Sequence, residues 1–420
     1  MGSSVTLEEV SRKVDDHGET KFHRDTIADL LGERNNFRFP GAQPVSFARK
    51  HFAELQRTDY YLCEKTDGIR CLLYLTQQFV QQGAPPEERQ YLIDRKNDYW
   101  HVESTMMHLP LQGNLGGFHT ATLLDGELVR QKYPDGTERL MYLIFDMLCL
   151  DGDNIMNRPL DIRLGKCKGF VYEPWVELKK RYAADVAEQP FHLQFKKMEV
   201  AYATEMVLKN VLPNLPHGND GLIFTCKSTP YTPGTDQHIL KWKPPHENTI
   251  DFRLQIKSFP TVVDNEGEYE DWDAKPEIDL LVHIGDREGH RKYATLSLTD
   301  AEWEIMKGMN QMFDGRIIEC FRDPVTSEWR PKIEHHDGTP RFRDDKSTAN
   351  HVKTVGSVED SILDGVTEDD LIANAPRIRE AWKIREAEAK MRREEEKRKF
   401  EAEQRKKHEA AKRQNQQQQQ

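Results

Sequence analysis

The seven residues Glu64-Lys65-Thr66-Asp67-Gly68-Ile69-Arg70 decide how this sequence is interpreted. The apolar run 60–63 leads into them, so they predict a strand that ends at a lysine and is followed by an Asp-Gly turn. A lysine held there beside an arginine is a candidate covalent nucleophile, activated by burial and by neighbouring cations. The pattern Lys-x-Asp-Gly alone arises by chance in roughly one chain in ten of this length, so other segments must agree with it.

Length and composition limit the classes of protein that this chain can belong to. It has 420 residues, 37% of them hydrophobic and 31% charged, which is enough for two domains with additional segments. No stretch approaches the roughly 20 apolar residues of a membrane span, and residues 1–20 lack an apolar signal segment. We therefore expect neither membrane insertion nor export. The net charge of -11 argues against a protein that coats nucleic acid, but not against one that binds a single 5′ end through a local basic pocket.

Six cysteines are scattered along the chain without a Cys-x-x-Cys pair. Most of them lie in apolar, strand-like runs, where cysteine acts as a small core residue. A disulfide framework or a zinc site is therefore not expected, and a reducing compartment fits.

The first half of the chain is dominated by strand signals. Residues 1–40 are polar and precede a turn-rich segment at 40–44, after which Ser46 is the expected N-cap of a helix that continues to about Gln56. Runs rich in β-branched and aromatic residues, punctuated by Asp-Gly and Pro-Gly, predict a mixed or antiparallel sheet with strands near 59–63, 70–75, 90–94, 121–129, 139–150, 221–226 and 238–242. Helical stretches are expected near 173–187 and 198–211.

Pro244-Pro245 indicates a domain boundary, followed by a smaller β-rich unit. Strands are predicted there at 251–258, 279–284, 291–298 and 316–322. Thr299 and Glu302 form a capping box for one helix. About five strands and one helix in this length are typical of a small barrel of the OB type. From about Thr367 the chain becomes helical and rich in Arg, Lys, Glu and Ala, which is typical of a solvated helix.

Six segments within or next to the predicted strands carry the charged and aromatic residues that could do chemistry. They are Lys65 with Asp67 and Arg70, Asp125-Gly126-Glu127, Phe145-Asp146, Asp220-Gly221, Lys241-Trp242-Lys243, and Arg341-Phe342-Arg343-Asp344-Asp345-Lys346. A Schiff-base enzyme has no need of so many cations. A phosphate-transfer enzyme needs them, because the attacked group and its leaving group are both anionic.

Carboxylates and an aromatic ring complete the set that nucleotidyl transfer requires. Carboxylates such as Glu127 and Asp220 can hold ribose hydroxyls and a divalent metal, and Phe145 offers a face on which a base can stack. Taken alone, the two Asp-Gly pairs would be plain turns, and a phenylalanine in an apolar strand would belong to the core. Together, the six segments indicate nucleotidyl transfer through a lysyl-N-phosphate intermediate.

In order and spacing, these segments resemble the motifs of the covalent nucleotidyltransferases, a group that contains mRNA capping guanylyltransferases and polynucleotide ligases. Four of them are similar to the capping form, of the fungal alpha-subunit type: 64–70 (Glu-Lys-Thr-Asp-Gly-Ile-Arg), 220–225 (Asp-Gly-Leu-Ile-Phe-Thr), 240–244 (Leu-Lys-Trp-Lys-Pro) and 341–346. The resemblance covers about residues 40–355. It implies an mRNA guanylyltransferase that forms a covalent lysyl-GMP intermediate from GTP and transfers GMP to the diphosphate 5′ end of nascent RNA.

The resemblance also implies a role for each matched residue. Lys65 would be the nucleophile that takes GMP from GTP. The nucleoside would be held by Thr66 and Lys196 at the guanine edge, by Arg70 and Glu127 at the ribose, and by Phe145 stacked on the base. The phosphates would be held by Arg95, Lys241 and Lys243 at the α-phosphate, and by Arg343, Asp345 and Lys346 at the β- and γ-phosphates once the two domains close. Asp220 would position the metal.

The implied fold class is α+β, with a mixed or antiparallel-sheet nucleotidyltransferase domain, an OB-fold domain and a C-terminal helical tail. The predicted boundaries are 1–40 for a polar N-terminal segment, 41–246 for the nucleotidyltransferase domain, 247–355 for the OB-fold domain and 356–420 for the charge-rich tail, which ends in a glutamine run.

Cofactors and partners follow from the same resemblance. Mg²⁺ or Mn²⁺ is expected as the cofactor, with GTP as substrate and the 5′-diphosphate end of nascent RNA as acceptor. The sequence shows no second catalytic domain, so an RNA 5′-triphosphatase (beta) subunit is the expected partner. The phosphorylated C-terminal tail of RNA polymerase II is a second expected partner, and the nucleus is the expected location.

Trp329 departs from the family's pattern, in which a tryptophan lies a few residues before the arginines of the last motif. Here residues 330–340 separate it from Arg341. We expect this segment to be a surface loop insertion, with His335 and His336 solvated rather than metal-bound.

Two other interpretations remain open. An ATP-dependent polynucleotide ligase shares the lysine chemistry, and nucleotide preference distinguishes it from a guanylyltransferase. A catalytically silent module that binds RNA ends or polymerase would form no covalent adduct at Lys65.

Overall fold

Two β-sheets and a hairpin form the chain up to Trp242, in a computed structural model that describes residues 5–33, 38–80, 83–264, 267–285, 289–334 and 338–417. We call this part, with its helices, the two-sheet unit. Its strands are β1 (Arg12–Lys13), β2 (Ala42–Ser46), β3 (Tyr60–Thr66), β4 (Ile69–Gln78), β5 (Glu87–Ile93), β6 (Tyr99–His101), β7 (Pro110–Leu111), β8 (Asn114–Phe118), β9 (Thr122–Lys132), β10 (Glu138–Leu150), β11 (Asp153–Asn154), β12 (His192–Phe195), β13 (Glu199–Val200), β14 (Asn219–Cys226) and β15 (Gly234–Trp242). Its α-helices are α1 (His17–Leu31), α2 (His51–Arg57), α3 (Leu160–Cys167), α4 (Glu173–Arg181), α5 (Ala183–Ala187) and α6 (Thr204–Met206).

The strand order places β3 and β4 in different sheets, although only Asp67 and Gly68 separate them along the chain. The larger sheet has the order β1-β6-β5-β4-β9-β10-β11, with β12 pairing in parallel with β10. The smaller sheet has the order β13-β3-β14-β15-β2, in which β15 and β2 are parallel. The chain therefore crosses from one sheet to the other within residues 64–70.

Helices cover the apolar faces of both sheets. On one face of the larger sheet, buried side chains of β4 and β9 pack with Trp175 of α4. On its other face, Ile27 and Leu31 of α1 pack with Tyr74 and Tyr91. The smaller sheet packs against α2 and against a helix that arrives from the end of the chain. Because β4 is buried on both faces, its sequence is a nearly continuous apolar run.

A second β-unit follows Pro245 and forms a curved sheet whose two edges meet. Its strands are β16 (Thr249–Ser258), β17 (Thr261–Asp264), β18 (Gly267–Glu270), β19 (Glu277–Gly285), β20 (Gly289–Thr295), β21 (Ile317–Arg322) and β22 (Trp329–Pro331), with helices α7 (Asp300–Gly308) and α8 (Val352–Leu363). The sheet has the order β20-β19-β16-β21-β22. Leu296 bridges to Trp329 in parallel, and the Ser297 amide donates to the Trp329 carbonyl oxygen at 2.8 Å, which closes the sheet. We call this part the barrel unit.

The last helix, α9 (Glu368–Gln417), carries the chain back to the two-sheet unit. Apolar residues of its first turns pack against α2 and the smaller sheet. The indole N–H of Trp242 donates to the Val366 carbonyl oxygen at 2.7 Å just before α9, and Arg385 donates to Asp59 at 2.8 Å further along it. The chain therefore crosses between the two units twice, near Pro245 and near Val366.

Most of the predicted elements are confirmed. Each run predicted as a strand coincides with a strand of the structure, and the stretches near 173–187 and 198–211 contain helical turns. The capping box is present, because the Thr299 hydroxyl accepts from the Glu302 amide at 3.2 Å while the Glu302 carboxylate accepts from the Thr299 amide at 2.7 Å. All six cysteines are buried and unpaired. Among the described residues, no helix is long and apolar enough to cross a membrane.

The prediction for Ser46 was wrong. Ser46 ends β2, where it pairs in parallel with Lys241 of β15, and α2 begins only at His51. The edge of the smaller sheet binds this segment as a strand, so the helix starts later. The polar segment 1–40 contains α1, whose buried side was not predicted. The prediction that His335 and His336 are solvated concerns residues that lie outside the described ranges.

His108 should make the stability of the two-sheet unit depend on pH. Its ring nitrogens lie 2.5 Å from the Glu88 carboxylate and 2.8 Å from the Leu115 carbonyl oxygen, and an imidazolium can donate to both. The hydrogen bond to Glu88 raises the pKa of His108 above its ordinary value. Because the folded-state pKa is the higher one, this stabilisation is complete below about pH 6.5 and is lost as the pH rises through the folded-state pKa.

We therefore expect the wild-type protein to have a larger free energy of unfolding than a His108→Gln variant, and the difference should be greatest near about pH 6. The difference should shrink toward about pH 8.5, and urea denaturation at several pH values measures it. His17→Gln, at an exposed histidine of α1, is the control. A difference that stays constant with pH would contradict this role for His108.

Candidate active site

A pocket between the two sheets collects most of the predicted site residues. Its charged, polar and aromatic lining comes from both sheets and from the segments after β5, β12 and β14: Lys65, Thr66, Arg70, Arg95, Asp125, Glu127, Phe145, Asp146, Lys196, Thr225 and Tyr231. Asp220 and Lys243 lie beside Lys65. The segments that sequence order placed far apart therefore meet at one place.

Lys65 lies near the end of β3, and its ammonium group faces a carboxylate. Its Nζ donates to Oδ1 of Asp220 at 2.5 Å, while Nζ of Lys243 lies 2.6 Å from Oδ2 of the same carboxylate. The two lysine side chains are 24% and 31% exposed. Burial acts to raise the pKa of Asp220, but the two lysines outweigh it and lower that pKa. One carboxylate thus holds two of the predicted lysines together.

Asp220 reaches this position because β14 is irregular here. One extra residue of β14 lies between its pairings with Thr66 and Glu64 of β3, which is a β-bulge. The next residue, Gly221, has a φ of +143°, and a Cβ there would lie 2.0 Å from the Trp242 carbonyl oxygen. Glycine is therefore required at this position, and the Asp-Gly pair is a site element rather than a plain turn.

At the other end of the pocket, Lys196 is a buried cation beside an aromatic ring. Its Nζ donates to Oγ1 of Thr66 at 2.5 Å and lies 3.6 Å from Glu64. It also lies 5.8 Å from the centre of the Phe145 ring. Burial acts to lower the pKa of Lys196, but Cys63 and the nearby carboxylates raise it overall. The pocket therefore presents a charged hydrogen-bond donor next to a stacking surface.

Arg70 belongs to a buried network of which the sequence revealed only part. Its guanidinium donates to the two oxygens of Asp125 at 3.0 and 2.6 Å and to the Ala42 carbonyl oxygen, and it lies 5.4 Å from the centre of the Phe145 ring. The Tyr231 hydroxyl donates to Asp125 at 2.6 Å. Sequence reasoning assigned Asp125 no role of its own and missed Tyr231, which lies in a segment without helix or strand signal.

Shifts in pKa show that charge is unevenly balanced along the pocket. Burial raises the pKa of Glu127, although the surrounding cations act against it. Burial, followed by a neighbouring guanidinium, lowers the pKa of Arg95. Burial and the cations of Lys243, Lys65 and Arg95 lower the pKa of Lys241. Burial and like charges therefore disfavour the charged forms of Lys241 and Arg95, and an anionic ligand would offset this.

The last predicted segment lies on the barrel unit and does not line this pocket. Lys346 and Arg343 both contact Asp251 of β16, and Arg343 donates to the Asp345 carboxylate at 3.0 Å. Trp329, whose spacing departs from the family's pattern, is buried against an aromatic ring of β16 in the core of the barrel unit. Contact of this segment with phosphates stays a prediction.

The side chains around Asp220 suit a divalent metal that binds together with the phosphates of a substrate. Within the described ranges, no three His, Cys, Asp or Glu side chains converge where they could hold an ion. Magnesium-type ions are usually bound by one or two carboxylates together with substrate phosphates and water. A single carboxylate beside the cationic end of the pocket fits that pattern.

Two family models match the chain and together span both units. The model described as mRNA capping enzyme, catalytic domain, matches residues 7–245. The model described as mRNA capping enzyme, C-terminal domain, matches residues 247–372.

Fungal proteins are similar over nearly the whole length. The mRNA-capping enzyme subunit alpha of Neurospora crassa is 44% identical over 383 residues, which cover 87% of this chain and 91% of that protein. The protein of the same name from Schizosaccharomyces pombe is 43% identical over 369 residues, which cover 87% of each. Among solved structures, a mycobacterial DNA ligase D complexed with ATP and MES has a TM-score of 0.34 and 16% identity over 75% of this chain and 97% of that chain.

Gly221→Ala should displace Asp220 and destabilise the fold. The added Cβ would collide with a backbone oxygen, so we expect a loss of roughly 3 kcal/mol in the free energy of unfolding. Because the carboxylate then no longer pairs with Lys65, amine-directed labelling of Lys65 should become faster. Urea denaturation and mass spectrometry of the labelled protein measure the two effects.

Gly136→Ala is the matched control, since Gly136 has a φ of +83° and no neighbouring atom within 4 Å of the place that a Cβ would occupy. Its cost should be about 1–2 kcal/mol, from the left-handed backbone alone. Labelling of Lys65 should not change in this variant. Equal labelling rates in all three proteins would mean that Gly221 does not position Asp220.

Proposed function

We propose a lysyl-nucleotide mechanism for this chain, which belongs to the mRNA capping enzyme family and is an mRNA guanylyltransferase. The observation that carries the mechanism is the place of Lys65, in a pocket whose far end suits a base and whose near end suits phosphates. This membership favours the guanylyltransferase over the ATP-dependent ligase and over the silent binding module.

In the first step, the Lys65 amine attacks the α-phosphorus of GTP. A P–N bond forms, the bond from the α-phosphorus to the oxygen that bridges to the β-phosphorus breaks, and pyrophosphate leaves. The ammonium group of Lys65 gives up one proton to solvent before the attack, and the nitrogen gives up a second one as the P–N bond forms. Lys241, Lys243 and Arg95 surround the charge that develops on the phosphate oxygens. Burial and neighbouring cations lower the pKa of both Arg95 and Lys241 in the free protein, so a phosphate would be a favourable partner for them.

In the second step, the lysyl-GMP intermediate passes its GMP to RNA. A terminal oxygen of the RNA 5′-diphosphate attacks the same phosphorus, the Lys65 nitrogen takes up a proton from solvent as the P–N bond breaks, and the free amine returns. The product is a 5′–5′ triphosphate cap. The pocket reuses the same cations in both steps, because the reacting phosphorus stays in place.

Selection of guanine over adenine is assigned to Lys196 and Thr66. Guanine presents its O6 as an acceptor at the edge where adenine presents an amino group that donates. The Lys196 ammonium can donate to O6 but has no acceptor for an amino group. Its position next to the Phe145 ring lets one base stack and be recognised at its edge. Arg70 and Glu127 are then the residues placed for the ribose.

The barrel unit is proposed to be an OB-type domain that closes over the pocket. Its five-stranded sheet with meeting edges supports that assignment. Closure would bring Arg343, Asp345 and Lys346 toward the β- and γ-phosphates, and opening would release pyrophosphate and admit RNA. A divalent metal, Mg²⁺ or Mn²⁺, would supply charge neutralisation at the phosphates, with Asp220 as the protein residue placed to meet it.

Partners and location are proposed on the same basis. The relatives are named as alpha subunits, so a second subunit is expected for this chain as well. An RNA 5′-triphosphatase fits, because the acceptor must be a diphosphate end. The phosphorylated tail of RNA polymerase II and a nuclear location would place the enzyme where nascent RNA ends appear.

Incubation with α-labelled GTP and a divalent metal should give a covalently labelled protein. We expect a label that survives denaturing electrophoresis, is labile to acid and stable to alkali, and is absent from Lys65→Ala. ATP should give at least about tenfold less label, because Lys196 discriminates between the bases.

Lys197→Ala is the matched control, since Lys197 is exposed and pairs with Glu199 outside the pocket. It should be labelled as well as the wild-type protein. A stronger label with ATP would indicate a ligase. Label that persists in Lys65→Ala would place the nucleophile elsewhere.

Binding of the nucleotide should be coupled to proton uptake by Lys241. Burial and neighbouring cations lower its pKa in the free protein, so part of Lys241 is deprotonated at alkaline pH. A bound triphosphate favours the charged form and raises that pKa, so a proton is taken up and affinity falls as the pH rises.

Calorimetric titration with α,β-methylene GTP, which binds without reacting, measures this uptake at about pH 9 in two buffers of different ionisation enthalpy. We expect a difference between buffers for the wild-type protein and a much smaller one for Lys241→Met. The same uptake in both proteins would assign the proton to another group.

A further inference from the structure

Phe145 owes its place in the pocket to a β-bulge in β10. Ile144 pairs with Gly126 of β9 and Asp146 pairs with Asp125, so Phe145 has no residue opposite it. In a regular strand, consecutive side chains point to opposite faces. Here the bulge turns both Phe145 and Asp146 toward the pocket. The ring that is placed for stacking is therefore held by an irregular piece of backbone.

A buried ion pair between Arg163 and Asp146 holds this irregular backbone in place. Nε of Arg163, on α3, donates to Oδ1 of Asp146 at 2.7 Å, and a terminal nitrogen donates to Oδ2 at 2.7 Å. The two side chains are 3% and 6% exposed. The Asp146 carboxylate also accepts from the Met147 amide at 2.8 Å, which ties it to the backbone just after the bulge. The bidentate geometry fixes the orientation of the carboxylate as well as its position.

Arg163 also contacts residues that hold Arg70 in place. Its remaining terminal nitrogen donates to the Thr229 carbonyl oxygen at 3.0 Å, and its guanidinium lies 5.7 Å from the centre of the Tyr231 ring. Tyr231 in turn donates to Asp125, the carboxylate that holds Arg70. Arg163 therefore contacts the supports of both the stacking ring and the guanidinium placed for the ribose, while it does not itself line the pocket.

Stability alone is a weak reason for such a pair. Replacing a buried ion pair with apolar side chains of similar size is often neutral for stability or even stabilising. A guanidinium that is fully used in hydrogen bonds instead specifies geometry. The contacts of Arg163 hold the backbone that carries the Phe145 ring, and they hold Tyr231 in place.

We propose that Arg163 is a positioning residue for nucleotide binding, which acts through the Asp146 bulge on Phe145 and through Tyr231 on Arg70. The proposal rests on the proposed function, because it assigns these supports to the guanine nucleotide. Replacing Arg163 should therefore lower the affinity for GTP and leave the rate of the reaction at Lys65 nearly unchanged.

The test uses Arg163→Lys, which keeps the charge but loses the two-pronged hydrogen bond to Asp146. The rate of covalent GMP labelling is measured against GTP concentration, and the amount of label at saturating GTP gives the active fraction. We expect half-saturation to require about tenfold more GTP, with the limiting rate within about threefold of wild type. Arg181→Lys, the same change at an exposed arginine of α4 that pairs with Glu177, should leave both quantities unchanged.

A double-mutant cycle with Phe145→Ala tests the route of the effect. If Arg163 acts largely through the ring, the double variant should need little more GTP than the worse single variant. Multiplying effects would overturn the route through Phe145, and a lower active fraction with unchanged half-saturation would overturn the whole proposal in favour of a purely structural role. Should Arg163→Lys fail to fold, Asp146→Leu with Arg163→Met removes both charges together, and the same weak binding is expected.

Equilibrium binding of α,β-methylene GTP to the same proteins separates this inference from the proposed function. Wild-type protein that binds the analogue but forms no adduct would refute the lysyl-GMP mechanism and leave the role of Arg163 testable by affinity. Wild-type protein that forms the adduct, with equal affinities in wild type and Arg163→Lys, would refute the role of Arg163 alone.

Discussion

Gly68 packs so closely against β9 that no side chain fits there, and the two sheets are joined through it. A Cβ at this position would lie 2.5 Å from a methyl carbon of Val129 and 2.6 Å from the Leu128 carbonyl oxygen. Because the turn is this tight, Lys65 at the end of one sheet and Arg70 at the start of the other stand on facing walls of one pocket. The pocket exists because the sheets are separate, and it is narrow because a two-residue turn joins them.

The two ends of the pocket differ in charge balance, and this difference gives a nucleotide one favourable direction. At one end, Glu64 and other groups compensate Lys196, and its pKa is raised. Burial and neighbouring cations lower the pKa of Arg95, which lines the pocket, and of Lys241, which lies in the adjacent cleft. A base is uncharged and a triphosphate is strongly anionic, so the compensated end suits the base. A chain with a net charge of -11 can therefore still present a local anion site.

Much of the frame and several site residues could be predicted, because strands that are buried or half-buried have characteristic patterns and because the motif residues stand next to them. Ser46 was misplaced since its local sequence allows a helix start, whereas the pairing that makes it a strand comes from a distant segment. Tyr231 and Arg163 could not be found for the same reason. Each acts through partners remote in sequence, and a lone tyrosine or arginine carries no signal of that.

Two of the site residues predicted from the sequence are held by irregular backbone that the sequence did not reveal. Asp220 and Phe145 both lie at β-bulges, one in each sheet: Phe145 lines the pocket that contains Lys65, and Asp220 pairs with Lys65 from a neighbouring cleft. A regular sheet alternates its side chains strictly, so it can offer only every second residue to a ligand. A bulge adds a residue and changes the direction of its side chain. The displaced backbone then needs a local partner to hold it. Gly221 at one bulge and the Arg163–Asp146 pair at the other meet that need, which is why the site depends on residues that do not touch a substrate.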